Sequence, residues 1–168
     1  MSQPPLQPLH AGLVATLSNG RWAGILIEGP SGIGKSDLAL RALDAGFRLV
    51  ADDRTLVWAS DGRLFGRAPS PLFGLIEARG VGVLFADALP FCEVSLVVRC
   101  VAQGEVERLP EARTVALCGV TLPLLSLWPL EVTAPAKIRR AIDHLGAGPQ
   151  PAYQARFRGV TPPRAGAN

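Results

Sequence analysis

The sequence is short of several features by which whole classes of protein are recognised. Only two of its 17 basic residues are lysines, and the arginines are scattered rather than gathered into a run. A net charge of +3 without a basic run predicts no nucleic-acid partner. No apolar stretch approaches the roughly 20 residues that span a bilayer, so we also expect no membrane partner.

The sequence shows neither the pattern of a signal peptide at its N-terminus nor a metal-binding pattern among its cysteines. The first ten residues, MSQPPLQPLH, lack a basic segment followed by an apolar one, so we expect no signal peptide and a cytoplasmic protein. The three cysteines, Cys92, Cys100 and Cys118, are odd in number and show no C-x-x-C spacing. Reduced, buried thiols are therefore expected instead of a metal cluster.

Against these absences, one stretch carries a strong signal for phosphate binding. An apolar run, residues 24–27, leads into G-P-S-G-I-G-K-S, and a helical pattern over residues 37–45 follows. This is the G-x-x-x-x-G-K-[ST] phosphate loop in its expected strand–loop–helix setting. The loop consists of Gly29, Pro30, Ser31, Gly32, Ile33, Gly34, Lys35 and Ser36. The alternative, a glycine-rich turn with an incidental lysine, would not require that setting.

The residue types of the loop match the chemistry of a nucleoside triphosphate. Glycines let successive backbone N–H groups point inward at an anion, and the following helix adds the positive end of its dipole. Lys35 can reach the β- and γ-phosphates, and the Ser36 hydroxyl can ligate Mg²⁺. We therefore expect ATP and Mg²⁺ as the cofactors of this chain.

A β-hairpin is predicted immediately before the phosphate loop. Residues 10–17 and 22–27 have strand character, and the S-N-G-R sequence between them favours a tight turn. Because antiparallel strands put the start of the first beside the end of the second, His10 would lie near the nucleotide. The alternative is a histidine at the protein surface without a function.

A strand–helix–strand unit follows, and it ends in two adjacent carboxylates. The predicted helix 37–45 leads into a buried strand, residues 47–51, and then into Asp52 and Asp53. In such units ligands bind beyond the carboxyl ends of the strands, which is where the phosphate loop lies. A carboxylate there could hold a metal ion or take a proton from an attacking hydroxyl. An Asx turn that ends the strand is the alternative.

The rest of the chain is predicted to be mostly β-structure. Strands are expected over residues 54–59, 64–67, 75–83, 90–101, 114–117 and 120–125, and a helix over 136–145. On the third of these strands Glu77 and Arg79 would share one face, either lining a site or forming an ion pair. The predicted fold is α/β, with a mixed parallel and antiparallel β core and few helices. Residues 1–145 would form one domain and residues 146–168 a disordered tail.

Three of these stretches together resemble one family. Residues 29–36, then L-V-A-D-D at 49–53, then E-A-R-G-V-G at 77–82 are similar to the HPr kinase/phosphorylase catalytic domain. The resemblance covers residues 10–145 and implies the short form of the family, which consists of the catalytic domain alone. It implies an ATP-dependent serine kinase whose substrate is HPr, the phosphocarrier of the sugar phosphotransferase system. A homo-oligomer is also implied, since the family tends to form hexamers.

The resemblance implies a role for each matching residue of the transfer chemistry. Asp52 matches the aspartate that deprotonates the substrate serine and, in reverse, protonates the leaving group. Asp53 matches its acidic neighbour near the metal. His10 matches a histidine that influences the first aspartate, and Arg108 resembles an arginine in a mobile loop used in phosphoryl transfer.

The resemblance also implies the residues that hold the nucleotide and its metal. Lys35 matches the phosphate-binding lysine, and Ser36 matches the magnesium ligand. Glu77 and Arg79 match a pair that lines the site. The fold implied is related to that of phosphoenolpyruvate carboxykinase, which shares phosphate-loop features with this family.

One stretch departs from the family pattern. The family usually carries P-V-R-P-G-R-N before its last helix, whereas residues 127–135 here read L-W-P-L-E-V-T-A-P. Such a stretch would help to hold substrate or inorganic phosphate. Its loss puts the reverse, phosphorylase activity in question. Arg139 and Arg140 could substitute for part of it in docking HPr.

Two other functions are compatible with the motif. A small-molecule kinase or phosphotransferase would use a similar site, although the sequence has no lid-sized insertion to close over a small substrate. A nucleotide-dependent switch without catalysis would need no base, and the presence of both Asp52 and Asp53 disfavours it.

Overall fold

Residues 5–146 are described by the computed structural model, and they form a curled, mixed β-sheet with helices packed against one face. The strands are β1 (Gln7–Leu9), β2 (Gly12–Ser18), β3 (Arg21–Glu28), β4 (Arg48–Ala51), β5 (Thr55–Ser60), β6 (Arg63–Arg67), β7 (Leu75–Ala78), β8 (Gly82–Phe85), β9 (Cys92–Cys100), β10 (Arg113–Leu117) and β11 (Val120–Leu127). The α-helices are α1 (Lys35–Asp44) and α2 (Ala134–Ala141). Short 3₁₀ turns lie at Ser70–Leu72 and Gln103–Glu105, and a π turn at Ile142–Gly146 follows α2. The predicted α/β class with few helices is confirmed.

The predicted hairpin before the phosphate loop is present as β2 and β3. Asn19 and Gly20, at its turn, have φ of 50° and 75°, the left-handed pair that a tight hairpin requires. β3 pairs with β2 on one side and runs parallel to β9 on the other. Because it is central and covered on both faces, its inner residues 23–27 are all buried, as the continuous apolar run indicates.

The strands on either side of α1 are parallel near neighbours, as predicted. β2 pairs antiparallel with both β3 and β4, so β3 and β4 run in the same direction with β2 between them. The full order is β1-β5-β6-β9-β3-β2-β4, and β11 pairs with the end of β9 beside β10. The carboxyl ends of β3 and β4 therefore lie at one edge of the sheet.

The sheet buries a separate apolar layer on each face. Ile25 and Ile27 of β3 pack with Leu38 of α1 and Ile138 of α2. Leu26, which alternates between them, packs on the other face with residues of the curled strands β5, β6 and β11. Because α1 is fixed by this layer, its N-terminus is held at the sheet edge where β3 and β4 end.

Residues 75–83 are not one strand, and this prediction is wrong. β7 and β8 form a separate two-stranded hairpin, and Arg79 lies in the turn between them rather than on a strand face with Glu77. Gly80 and Gly82 have φ of 86° and 133°, so the glycines serve the reversal of the chain.

The C-terminal helix begins at Ala134, two residues before its predicted start, and gives way to the π turn. Arg139 donates to Thr16 Oγ1 at 2.9 Å and to Ala45 O at 2.7 Å, and it lies over the Phe47 ring. It therefore joins α2 to the sheet and to the end of α1. The predicted tail, residues 146–168, lies outside the described residues apart from Gly146.

The cysteines within residues 5–146 are free thiols, as predicted. Cys92 and Cys100 are buried, whereas Cys118 is half-buried. Burial raises the pKa of Cys92 to about 12 and that of Cys100 to about 11, which keeps both protonated and unreactive. Across the same residues, no helix combines the length and the apolar character that crossing a bilayer requires.

Candidate active site

A cleft of about 540 Å³ lies over the N-terminus of α1, where the phosphate loop joins β3 to the helix. It is lined by His10, Ser31, Gly32, Gly34, Lys35, Ser36, Asp37, Leu40, Asp53, Glu77, Ala78, Arg79 and Leu130. Four segments that are distant in sequence therefore meet the phosphate loop at one point. These are the residues just before the hairpin, the end of β4, the β7–β8 hairpin and the connection between β11 and α2 that carries Leu130.

The loop glycines allow a backbone that other residues would not adopt. Gly32 and Gly34 have φ of 79° and 114°. A Cβ atom at Gly32 would meet nothing within 4 Å, so its backbone is open for a ligand to approach. A Cβ atom at Gly34 would lie 2.8 Å from Leu130 Cδ2. Gly32 therefore leaves space for a ligand, whereas the space beside Gly34 is filled by the Leu130 side chain.

Lys35 lies at the base of this loop and is only 8% exposed. Its Nζ donates hydrogen bonds to the carbonyl oxygens of Gly29 and Pro30, at 2.9 and 3.0 Å. A nearly buried ammonium is held there by neutral carbonyls rather than by a carboxylate. The Lys35 ammonium can therefore interact with an anion in the loop without first breaking an ion pair. The loop fits a nucleotide phosphate on this observation.

Asp52 is held between α1 and β7. Ser36 Oγ donates to its Oδ1 at 3.1 Å, and the Glu77 backbone N–H donates to its Oδ2 at 2.9 Å. Burial raises the pKa of the Asp52 carboxyl above its usual range, and the charges of Asp53 and Glu77 add to this. The two hydrogen bonds oppose the rise because they favour the ionised form. This carboxylate is oriented and is a better proton acceptor than an exposed one.

Asp53 has a different partner from its neighbour. Its Oδ1 lies 3.4 Å from His10 Nε2, and each of these side chains is about half exposed. Asp53 adopts φ of 61°, and the Arg54 N–H donates to the Asp52 carbonyl, so the chain turns sharply after β4. The left-handed conformation costs energy for a residue other than glycine, and such strain is concentrated at functional sites. The structure thus brings His10 to the cleft, as the hairpin predicts.

Glu77 and Arg79 both line the cleft, although they come from a hairpin rather than from one strand. Glu77 contributes its backbone N–H to Asp52, and Arg79 brings a guanidinium to the wall. Arg108 is exposed in the connection between β9 and β10, and it is not among the described residues that line the cleft.

The side-chain oxygens near the predicted magnesium ligand Ser36 are not those that the sequence predicts. Ser36 and Asp53 are the predicted ligands, but the carboxylate against Ser36 is that of Asp52. A hydroxyl and a carboxylate beside a phosphate loop suit Mg²⁺, which takes few protein ligands and keeps water and phosphate oxygens. The residues present therefore fit the ion together with a nucleotide.

Sequence reasoning missed Asp37, Leu40 and Leu130 as lining residues. Asp37 and Leu40 follow the motif on α1. Helical spacing could therefore have indicated that they lie on the side of α1 that faces the cleft. Leu130 had no such signal, because its contact with Gly34 joins segments far apart in the chain. Of the two arginines considered for docking HPr, Arg139 is engaged by Thr16 and Ala45, whereas Arg140 is exposed.

Comparison with known proteins gives one consistent family. The family model described as the HPr Serine kinase C-terminal domain matches residues 7–123. The HPr kinase/phosphorylase of Limosilactobacillus reuteri (strain DSM 20016) is 36% identical over 135 residues, which cover 73% of this chain and 41% of that protein. The HPr kinase/phosphorylase of Clostridium perfringens (strain 13 / Type A) is 48% identical over 66 residues, 39% of this chain and 22% of that protein. The chain thus spans less than half the length of these curated relatives.

A solved structure shares the fold. The Hpr(Ser) kinase/phosphatase from Coxiella burnetii matches with a TM-score of 0.69 and 24% identity. The match covers 91% of this chain and 99% of that one. At this identity the likeness supports the architecture of the sheet and helices and nothing finer.

Proposed function

The chain belongs to the HPr Serine kinase C-terminal domain family, and from this premise we propose that it is an ATP- and Mg²⁺-dependent protein kinase. Its substrate is a serine of HPr, the phosphocarrier of the sugar phosphotransferase system, and residues 1–145 form the catalytic domain. One observation carries the proposal: the Asp52 carboxylate lies 3.1 Å from the Ser36 hydroxyl, beside the phosphate loop. A proton acceptor and a phosphate site so close together suit transfer to a hydroxyl.

The phosphate loop provides binding and charge neutralisation. Bound Mg²⁺·ATP supplies the γ-phosphoryl group. The loop amides and the Lys35 ammonium stabilise the negative charge that spreads over the transferred group. Ser36 and, by resemblance, Asp53 would hold the ion when it is bound. Arg79, which also lines the cleft, would add a positive charge to the site.

Asp52 acts as the general base in this mechanism. It takes the proton of the substrate serine hydroxyl as the serine oxygen bonds to phosphorus and the bond to ADP breaks. Its raised pKa strengthens it as a base, and the Glu77 amide and Ser36 hydroxyl hold it in one orientation. His10 influences the pair of aspartates through its 3.4 Å contact with Asp53. Arg108 is proposed to approach the transferred group from the β9–β10 connection.

The reverse, phosphorylase reaction is part of the same proposal. Asp52, once protonated, returns its proton to the serine oxygen as the serine oxygen–phosphorus bond breaks and the phosphoryl group bonds to an oxygen of inorganic phosphate, which gives pyrophosphate. Residues 127–135 lack the arginines of the family pattern, and the cleft wall there carries Leu130. We expect this direction to be the weaker one, and addition of inorganic phosphate to phosphorylated HPr measures it.

A cytoplasmic homo-oligomer, a hexamer by resemblance, is also proposed. The β7–β8 hairpin stands apart from the main sheet and exposes Val81, Val83 and Phe85 by 74%, 64% and 89%. An apolar surface of this kind marks an interaction site. Light scattering of the pure protein measures its mass. A mass that falls in Phe85→Glu but not in Leu109→Glu, an exposed leucine elsewhere, would support this surface as the interface.

The test of the activity is transfer of labelled γ-phosphate. The protein is incubated with labelled ATP, Mg²⁺ and the HPr of the same genome, beside the Lys35→Ala variant. Label on an HPr serine, absent with Lys35→Ala, is the expected result. Exposed Lys137, which pairs with Glu131, gives the matched control Lys137→Ala, and this variant should retain transfer. ATP binding without label on HPr would favour another substrate or a nucleotide switch.

A further inference from the structure

A turn formed by residues 128–131, here named the Leu130 turn, packs against the phosphate loop. A Cβ atom at Gly34 would lie 2.8 Å from Leu130 Cδ2 and 3.4 Å from Pro129 Cγ, so these side chains fill the space beside the Gly34 backbone. Leu130 also lines the cleft and is 52% exposed. The turn therefore opposes any movement of the loop toward it at Gly34.

Arg41 of α1 holds this turn by its backbone. The guanidinium donates hydrogen bonds to the carbonyl oxygens of Pro129 and Glu131, the latter at 3.1 Å. Its Nε donates to Asp37 Oδ2 at 2.9 Å, which fixes the planar group from the other side. Two nitrogens of one guanidinium thus engage the carbonyls on both sides of Leu130, and the Arg41 side chain is 29% exposed.

The other attachments of the turn are weaker. Glu131 pairs with Lys137 of α2 at 2.5 Å, but this ion pair is at the surface, where such pairs contribute little. The Glu131 N–H donates to the Trp128 carbonyl at 3.3 Å, and the Ala134 N–H at the start of α2 donates to the Glu131 carbonyl at 3.0 Å. Hydrogen bonds from a charged, partly buried donor are stronger than neutral backbone bonds and than an exposed ion pair, and neither backbone bond reaches α1. Arg41 is therefore the main link between the Leu130 turn and the helix that carries Lys35 and Ser36.

We propose that Arg41 is a positioning residue for nucleotide binding: through the Leu130 turn it keeps Gly34 and the loop amides in the conformation that accepts phosphate. Donors that are already aligned bind an anion without the entropy cost of ordering them. Without the guanidinium the turn is released and Leu130 no longer limits the loop. The inference rests on the proposed function only in that the cleft binds a nucleotide, whichever substrate receives the phosphoryl group.

The test measures binding of a fluorescent ADP analogue to the whole chain and to three variants. We expect affinity about tenfold weaker in Arg41→Gln and in Leu130→Ala, the size of effect that lost hydrogen bonds from a charged donor produce. Arg41→Lys should recover part of the loss, because an ammonium can reach one carbonyl but lacks the planar fork. Arg48→Gln removes an ion pair with Asp87, away from the cleft, and should bind ADP normally.

The double variant Arg41→Gln/Leu130→Ala separates positioning from general damage. If Arg41 acts through Leu130, the double variant binds no more weakly than the weaker single variant. Additive losses, or unchanged ADP affinity in Leu130→Ala, would overturn the proposal. Leu130 is half exposed, so its variant gives a decisive result even if Arg41→Gln does not fold. Normal ADP binding without transfer to HPr would count against the proposed function and leave this inference intact.

Discussion

The Ser36 hydroxyl donates a 3.1 Å hydrogen bond to Asp52 Oδ1, and this contact joins the two halves of the site. Ser36 ends the phosphate-loop motif on the first turn of α1, whereas Asp52 follows directly after β4. Because β3 and β4 run in the same direction, the loop and the carboxylate emerge at one sheet edge. The last hydroxyl of the phosphate-loop motif and a carboxylate at the end of β4 are thus within one hydrogen bond of each other.

Removing the Ser36 hydroxyl should weaken the binding of Mg²⁺·ADP more than that of ADP alone. The Ser36→Ala variant loses an oxygen that we propose as a metal ligand, so we expect about tenfold weaker binding with Mg²⁺. Ser36→Thr keeps the hydroxyl and should bind normally. Titration of both variants with and without Mg²⁺ measures this. Equal losses under the two conditions would mean that Ser36 does not contact the ion.

Asp52→Asn should change how the stability of the fold depends on pH. Burial raises the pKa of Asp52 above its unfolded value, so the ionised carboxyl destabilises the fold. This destabilisation is absent below the unfolded pKa of about 3.8 and is complete above the raised folded pKa. Relative to Asp52→Asn, the unchanged chain should therefore lose stability as pH rises.

Chemical unfolding of both proteins from about pH 3 to about pH 7 measures this difference in the free energy of unfolding. The variant lacks the titration at position 52, so groups that do not interact with Asp52 cancel in the comparison. A difference that is constant with pH, or that favours the unchanged chain more at neutral pH, would mean that the pKa is not raised.

Alanine should be tolerated less at Gly34 than at Gly32. Both positions have positive φ, which costs an alanine about 1–2 kcal/mol. At Gly34 the new methyl group also meets Leu130 Cδ2 at 2.8 Å, and such overpacking adds about 1–3 kcal/mol. Urea unfolding should rank the variants in this order, and Leu130→Ala should restore part of the stability of Gly34→Ala. The reverse order would show that Leu130 does not fill this space.

Arg139 should matter for stability although it was considered for docking HPr. Arg139→Ala leaves buried Thr16 without its donor, frees the Ala45 carbonyl and removes the contact with the Phe47 ring. We expect a loss of about 2 kcal/mol in the free energy of unfolding. The neighbouring Arg140→Ala, at an exposed position, should stay within about 0.5 kcal/mol of the unchanged chain. Similar values for the two variants would contradict this account.

Local signals explain which parts of the fold could be predicted. The loop motif, the Asn19–Gly20 turn and the apolar run of β3 each specify a conformation by themselves, and all three are present. Glu77 and Arg79 were assigned to one strand because period-2 spacing cannot distinguish a strand from a hairpin whose turn is glycine-rich. The geometry of Gly80 and Gly82 becomes evident only from their φ values.

Contacts between distant segments explain what could not be predicted. The sequence indicates that Asp52 and Asp53 reach the site, but not that one meets Ser36 and the other His10. That division follows from the turn at Asp53, where a non-glycine residue has φ of 61°. Leu130 reaches Gly34 from a turn whose carbonyls accept hydrogen bonds from Arg41 of α1, and no local pattern encodes such a contact.

The most direct measurement is the single-turnover rate of phosphoryl transfer from ATP to HPr by Asp52→Asn, at saturating Mg²⁺·ATP. Asparagine keeps the shape of the side chain but cannot accept the serine proton. The account predicts that nucleotide affinity is nearly unchanged while the rate falls by about 10² to 10⁴, the contribution of a positioned base. A rate close to that of the unchanged chain, or a loss explained by weaker ATP binding alone, would contradict the role of Asp52 as the base.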